Sequence, residues 1–179
     1  EFRRVLFRSG TVNARKGYAD MIKAFAQIAD RYPDWSIVFA GNGEIEEGKA
    51  LASRLSIAKQ TVFLGWVRGE EKDKAFKEAS IFCLPSYAEG FPMGVLDAWA
   101  YGLPVITTPV GGIPDIAIDG KNCLLFNPGD VDILAKQMDK MMSSEELRKL
   151  VASESNELAK GIFSVEKVTE RLGNIYQDL

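Results

Sequence analysis

The chain has 179 residues, 46% of them hydrophobic, and a formal net charge of -3 at neutral pH. This length suits one domain with a sizeable core, and the slightly acidic balance argues against nucleic acid as a partner. Histidine is absent, which excludes Ser-His-Asp and Cys-His catalysis and any histidine-ligated metal site. Cys83 and Cys123 lie in apolar segments and are expected to be unpaired core residues.

The first nine residues fit a folded domain poorly. A nucleotide-binding domain is expected to open with an apolar strand that ends at Gly10, but three arginines crowd the apolar residues 5–7. We therefore predict that residues 1–9 are a non-native segment or a truncated first strand, and that residues 10–179 form the domain. The alternative is a genuine, slightly basic strand at the edge of a sheet.

The next segment, residues 10–17, reads GTVNARKG and precedes a predicted helix. A loop of small and basic residues before a helix can bind phosphate through its charge and through the unpaired N–H groups of the helix. Arg15 and Lys16 are the candidate cations. The alternative is that both are solvated residues at the start of a helix.

Short apolar runs and amphipathic segments alternate along the remaining chain. Strands are predicted at residues 36–40, 61–64, 81–84, 104–107 and 124–126, and helices at 18–31, 45–55, 70–79, 92–102, 131–143, 145–160 and from 163 onward. This alternation predicts an α/β fold, a Rossmann-like open parallel sheet with helices on both faces. Ligands of such folds lie beyond the carboxyl ends of the strands.

Residues 87–102, YAEGFPMGVLDAWAYG, combine a loop acid, Glu89, with a helix that contains a second acid, Asp97. The helix is predicted to begin at Pro92 and to end before Gly102. Its first amides offer an anion site. The alternatives are that Glu89 only caps the helix and that Asp97 is an exposed surface acid.

This stretch resembles the C-terminal signature of glycosyltransferase family 4, retaining enzymes of the GT-B fold. That signature has an acidic residue, seven others and a second acid, within a pattern of the type PS-x-x-EGFG-x-x-x-x-EAMA-x-G-x-PV. The matching residues are Pro85, Ser86, Glu89, Gly90, Phe91, Asp97, Ala98, Ala100, Gly102, Pro104 and Val105, followed by Gly111, Gly112, Pro114, Asp115, Asp119, Gly120, Leu125, Pro128, Gly129 and Asp130.

The resemblance implies roles for individual residues. Lys16 would contact the donor diphosphate and Glu89 the hydroxyls of the donor sugar, which makes these two the expected catalytic residues. Asp97, where the family has Glu, would hold the ribose. Thr11 replaces an arginine of the family loop, so Arg15 is the candidate for the missing charge. The other expected donor-binding residues are Gly17, Gly41, Val67 through its backbone, Gly90, Phe91, Met93 and Gly94.

The resemblance also implies a function, namely transfer of a sugar from a UDP-sugar or GDP-sugar to a hydroxyl acceptor with retained configuration and no metal. The acceptor would be a glycan or a lipid-linked sugar, in polysaccharide or glycolipid synthesis, in the cytoplasm or at the inner face of a membrane. The family has an N-terminal domain that this chain lacks, so we expect a fragment that is inactive alone.

Two alternatives remain open. One is a non-catalytic module that binds nucleotide sugars or another protein. The other is a nicotinamide-dependent enzyme, suggested by Gly41-Asn42-Gly43 after a strand, although the third glycine of that motif is missing.

Overall fold

The computed structural model describes residues 4–91 and 93–161, and they form an open sheet with helices on both faces. Every pair of adjacent strands is parallel, and the strand order is β3-β2-β1-β4-β5-β6. The strands are β1 (Arg4–Ser9), β2 (Trp35–Ala40), β3 (Thr61–Gly65), β4 (Ile81–Leu84), β5 (Val105–Thr107) and β6 (Leu124–Leu125). The predicted fold class is therefore confirmed.

The helices are α1 (Tyr18–Ala26), α2 (Ile45–Arg54), α3 (Gly69–Glu78), α4 (Met93–Ala100), α5 (Val131–Ser143) and α6 (Glu145–Gly161). Helix α1 is shorter than predicted, because the chain leaves the helix before a separate 3-10 turn at Ala29–Arg31. Pro33 accounts for the end of that turn at Arg31, since Tyr32, the residue before proline, avoids the helical conformation. The helix predicted from residue 163 onward lies outside the described residues.

Strand β1 lies at the centre of the sheet, paired with β2 along its whole length and with β4 on its other side. The alternative interpretation of this segment, a strand at the edge of the sheet, is therefore wrong. Residues 6–8 are fully buried. Arg8 is accommodated because its guanidinium donates to the carbonyl oxygens of Gly10 and Thr11, at 3.0 and 2.6 Å. The prediction that residues 1–9 are non-native concerns the origin of this segment, and it stays a prediction.

Each face of the sheet has its own hydrophobic core. Helices α1, α2 and α5 cover one face, and the core on this face includes Trp35, Phe25 and Met138. Helices α3 and α4 cover the other, where Trp99 packs with Phe76. Helix α6 contacts both α4 and α5. Residues of β1 alternate between the two cores, which is the pattern that a central strand requires.

Strand β3 forms one edge of the sheet and is only half covered. Val62 and Leu64 are exposed, whereas Phe63 packs against the core beneath α2. The strand leads into Trp66, which is 55% exposed. Among residues 4–91 and 93–161, no helix is both long enough and apolar enough to cross a membrane.

Candidate functional site

The candidate site lies where the direction of the chain through the sheet reverses. The chain runs from β1 outward to β3 and then returns to β4 on the other side of β1. Open α/β sheets bind ligands at such a switch point, beyond the carboxyl ends of the strands. The β1–α1 loop (residues 10–17) and the β4–α4 loop (residues 85–91) meet here, since the Tyr87 amide donates to the Arg15 carbonyl at 2.8 Å.

Two glycines allow the β4–α4 loop to be held closely from both sides. Gly17 has a φ of 68°, and a Cβ built on it would lie 1.8 Å from the carbonyl oxygen of Pro85. Gly111, after β5, has a φ of 59°, and its Cβ would lie 2.1 Å from the carbonyl oxygen of Glu89. Both positions require glycine for its left-handed backbone and for its missing side chain. Gly17 therefore has a packing role, whether or not it also contacts a donor.

Lys16 and Glu89 form an ion pair that joins the two loops. The Lys16 Nζ lies 2.7 Å from each oxygen of the Glu89 carboxylate. The Lys16 and Glu89 side chains are only 20% and 8% exposed. Because water is largely displaced, their attraction is stronger than that of a surface pair. The structure thus brings together the cation predicted for the diphosphate and the acid predicted for the sugar.

Arg8 places a second cation near Glu89. Burial lowers the pKa of Arg8 to about 10, an effect that Cys83 and the Glu89 charge partly counter. At neutral pH the guanidinium therefore remains charged, so Glu89 faces Lys16 directly and Arg8 at longer range. Arg8 was not predicted as a functional residue, because an arginine in a strand looks like a misfit. The available signal was its position just before the loop in which Thr11 replaces a family arginine.

Arg15 is exposed, and its side chain faces a groove of about 390 Å³ beside the β1–α1 loop. Asp20 in this groove is buried and accepts a hydrogen bond from the Tyr87 hydroxyl at 2.6 Å. This bond, followed by burial, raises the pKa of Tyr87. Tyr87 thus anchors the β4–α4 loop through both its amide and its hydroxyl, a role that the sequence did not reveal. The groove is lined by Ala14, Arg15, Gly17, Ala19, Asp20 and Tyr87.

The predicted anion-binding amides lie at the start of α4. Gly90, Phe91 and Met93 are exposed, and Gly94 is partly buried against Phe82. The Met93 amide donates to the Phe91 carbonyl at 2.9 Å. One of the amides proposed for the diphosphate is therefore engaged within the chain in this structure.

Asp97 does not reach the Lys16–Glu89 pair but binds Lys72, on the neighbouring helix α3. The Lys72 Nζ lies 2.8 Å from an oxygen of the Asp97 carboxylate. Their side chains are 43% and 34% exposed. Lys72 was not predicted, since nothing in a polar helix with several lysines indicates which of them contacts an acid on another helix.

Gly41 and Val67 lie at the ends of β2 and β3. The Gly41 amide donates to the Gly65 carbonyl at 2.7 Å, and a Cβ on Gly41 would lie 2.1 Å from the Gly10 carbonyl oxygen. A Cβ on Gly43 would lie equally close to the backbone of the β1–α1 loop. Close packing thus accounts for both glycines of the G-x-G motif without a dinucleotide. Val67 packs partly buried against the core beneath α3.

Comparison with known proteins agrees with this geometry. A model of the family described as Glycosyl transferases group 1 matches residues 1–157. A D-inositol 3-phosphate glycosyltransferase of Corynebacterium jeikeium is 31% identical, over 95% of this chain and 42% of the relative. An uncharacterized glycosyltransferase of Haemophilus influenzae is 30% identical, over 90% of this chain and 45% of the relative. The chain thus spans less than half the length of these relatives.

Solved structures agree as well. The C-terminal domain of a group 1 glycosyl transferase, LpcC of Francisella tularensis, superposes with a TM-score of 0.83 at 25% identity, over 90% of this chain and 87% of that one. The Anabaena protein HepE, solved with UDP-glucose, superposes with a TM-score of 0.87 at 21% identity, over 98% of this chain and 49% of that one. The fold is that of GT-B C-terminal domains, and the chain belongs to the group 1 glycosyl transferase family.

Proposed function

We propose that this chain is the donor-binding domain of a retaining glycosyltransferase of family 4. The enzyme would move a sugar from a UDP-sugar or GDP-sugar to a hydroxyl acceptor. One observation carries the proposal, the contact between Lys16 and Glu89 at the switch point of the sheet. In a nucleotide sugar the outer phosphate and the sugar share one bridging oxygen, so their binding groups must be neighbours. The two loops provide such neighbours.

Negative charge on the departing diphosphate is the main demand of the reaction. Groups that are already aimed at this charge lower the barrier without having to reorganise. Lys16 lies on a short turn whose Asn13 side chain accepts a hydrogen bond from the Lys16 amide at 3.0 Å. We assign Lys16 and the Gly94 amide to the diphosphate, and the reaction then needs no metal ion. The Met93 amide joins them once it leaves the Phe91 carbonyl.

Glu89 is assigned to the sugar hydroxyls and to the positive charge that develops on the ring. Asp97 is assigned to the ribose, which requires the Lys72 contact to loosen or to be shared. That contact is half exposed, so it opens at little cost. The backbone of Val67 is assigned to the base.

The acceptor is assigned to a second, N-terminal domain, because the chain matches less than half of each relative. The relatives' names include a sulfoquinovosyl transferase of Arabidopsis thaliana and an N-acetyl-α-D-glucosaminyl L-malate synthase of Bacillus anthracis. These names refer to chemically different reactions, so the family does not define the acceptor here. A glycan or a lipid-linked sugar remains our proposal, with the reaction at the cytoplasmic side of a membrane.

Calorimetric titration of the chain with UDP, GDP, UDP-glucose and GDP-mannose tests the proposal. We expect one base to bind, and Lys16→Ala to weaken that binding about tenfold through the loss of a charged contact. Lys149→Ala is the matched control, since Lys149 pairs with Glu145 on the surface of α6. This control is expected to leave binding unchanged, and NAD is expected to give no heat. If a folded chain binds none of the four ligands, the proposal is overturned.

A non-catalytic nucleotide-sugar module is the second candidate, favoured by Thr11 and by the engagement of Asp97 with Lys72. Fusing the chain behind the N-terminal half of a family member and assaying sugar transfer separates the two functions. Transfer that is lost with Glu89→Gln supports the enzyme. Tight donor binding without transfer supports the module.

A further inference from the structure

The Lys16–Glu89 pair occupies both groups that the proposed function assigns to the donor. Each oxygen of the carboxylate lies 2.7 Å from the Lys16 Nζ. Lys16 therefore cannot bind a phosphate at full strength while it is held in this way. Glu89, at 8% exposed, would lose a partner without gaining a full shell of water if Lys16 moved away.

We propose that Glu89 competes with the donor diphosphate for Lys16, so that this domain holds a nucleotide sugar more tightly than the nucleoside diphosphate that remains after sugar transfer. The inference rests on the proposed function and adds a discrimination between donor and product. Lys16 and Glu89 would exchange each other for the diphosphate and the sugar hydroxyls when the donor binds.

The discrimination follows from what each ligand offers to Glu89. Both ligands draw Lys16 onto the diphosphate and break the ion pair. A nucleotide sugar then supplies hydroxyl donors, which replace the ammonium at the carboxylate. A nucleoside diphosphate has no hydroxyl at this position, since its ribose is assigned to Asp97, so its complex contains a nearly buried carboxylate without a direct partner, and this is costly.

Arg8 makes the exchange possible. Its guanidinium is held at the end of β1 by the carbonyl oxygens of Gly10 and Thr11, and it is fully buried. It therefore cannot follow Lys16 to the diphosphate. It stays near Glu89, whose two carboxylate oxygens can each accept a hydrogen bond from a sugar hydroxyl.

The expected consequence lies in product release. When the sugar leaves, the hydroxyl donors leave with it, and Glu89 again attracts Lys16. The diphosphate then loses its cation to an internal carboxylate. The pair thus speeds the release of the nucleoside diphosphate while it leaves donor binding intact.

Titration of the Glu89→Gln chain with UDP or GDP, whichever the wild type binds, tests the inference. The amide cannot hold Lys16 as an ion pair, so we expect about fivefold tighter binding of the nucleoside diphosphate. The matching nucleotide sugar should gain less or should lose affinity, because its hydroxyls lose a charged acceptor. The preference for donor over product should therefore fall.

Glu89→Gln in a Lys16→Ala background distinguishes two causes of tighter binding. One is the release of Lys16 from the ion pair, and the other is the loss of a negative charge near the diphosphate. If Lys16 mediates the gain, Glu89→Gln changes the affinity for the nucleoside diphosphate by less than about twofold in that background. A gain of equal size in both backgrounds overturns the inference, as does no gain in the wild-type background. A folded wild type that binds no nucleotide overturns the proposed function as well, whereas binding without the predicted gain overturns only this inference.

Discussion

Two lysine–carboxylate pairs involve residues of the candidate site. They have similar nitrogen–oxygen distances but differ in location and in burial. Lys16–Glu89 and Lys72–Asp97 have nitrogen–oxygen distances of 2.7 and 2.8 Å. The first joins two loops at the centre of the sheet and is mostly buried. The second joins two helices on one face and is 43% and 34% exposed. Contact distance alone would rank them as equals.

The difference lies in what holds each pair in place. Around Lys16–Glu89 the loop backbones are fixed by the close approach of Gly17 to Pro85 and by the bonds of Tyr87. Around Lys72–Asp97 only long side chains define the geometry, and a pair of that kind contributes little to stability. We therefore expect the packing of the loop backbones to hold the first pair in place. The second pair is expected to depend only on the conformations of its two side chains.

The largest effect is expected for Gly17→Ala, which disrupts the close approach of the two loops around the Lys16–Glu89 pair. The new Cβ would lie 1.8 Å from the Pro85 carbonyl oxygen, and the left-handed backbone adds its own strain. We expect the free energy of unfolding to fall by about 3 to 5 kcal/mol. Chemical denaturation measures it.

Gly120→Ala is the matched control for this substitution. Gly120 has a φ of 74°, close to the 68° of Gly17, but a Cβ added to Gly120 would meet no atom within 4 Å. The substitution should therefore cost only about 1 kcal/mol. Equal losses for the two variants would show that backbone strain alone, without the close approach of the loops, makes Gly17 necessary.

The next test compares the two pairs directly. Lys16→Ala leaves the nearly buried Glu89 carboxylate without its partner, and we expect a loss of about 2 kcal/mol in the free energy of unfolding. Lys72→Ala leaves Asp97 in contact with water, and we expect less than about 1 kcal/mol. Urea denaturation in low and high salt measures both losses. Salt should abolish the smaller one and reduce the larger one only in part. Equal, salt-sensitive losses would mean that burial does not distinguish the pairs.

A smaller effect than for Lys16→Ala is expected for Tyr87→Phe, which removes the hydroxyl that donates to Asp20 while the ring stays. We expect a loss of about 1 kcal/mol in the free energy of unfolding. The hydrogen bond raises the pKa of Tyr87 in the folded chain, so its contribution is fully present below the unfolded pKa of about 10. It is lost as the pH rises through the higher folded pKa.

Denaturation at a series of pH values checks this prediction. The difference between wild type and Tyr87→Phe should stay constant from neutral pH to about 9 and shrink above about 10. A difference that disappears already at neutral pH would show that the Tyr87 amide, and not its hydroxyl, anchors the loop.

Much of the fold could be predicted because its signals are local. Apolar runs and the glycines after them marked the strands and their carboxyl ends. The strand order could not be predicted, since neighbours in the sheet are chosen by packing between distant segments. The central position of residues 4–9 in the sheet could not be predicted for the same reason. Two nitrogens of the Arg8 guanidinium donate to backbone carbonyls whose orientation exists only after the β1–α1 loop has folded.

The candidate site divides in a similar way. The motifs singled out Lys16 and Glu89 one at a time, but the two lie 73 positions apart, and their contact depends on β1 and β4 being neighbours. Lys72 carried no signal, because its partner is defined by the packing of α3 beside α4. The sequence thus indicated candidate chemistry, and the topology determined which candidates meet.

The three tryptophans give the molecule a built-in set of optical reporters. Trp35 is buried in the core on one face of the sheet, and Trp99 in the core on the other. Trp66 belongs to neither core and is exposed just before Val67. Intrinsic fluorescence therefore follows the collapse of both layers at once. A single-tryptophan variant that keeps only Trp66 would report instead on events at the rim where β3 ends, with emission already shifted to the red in the folded state.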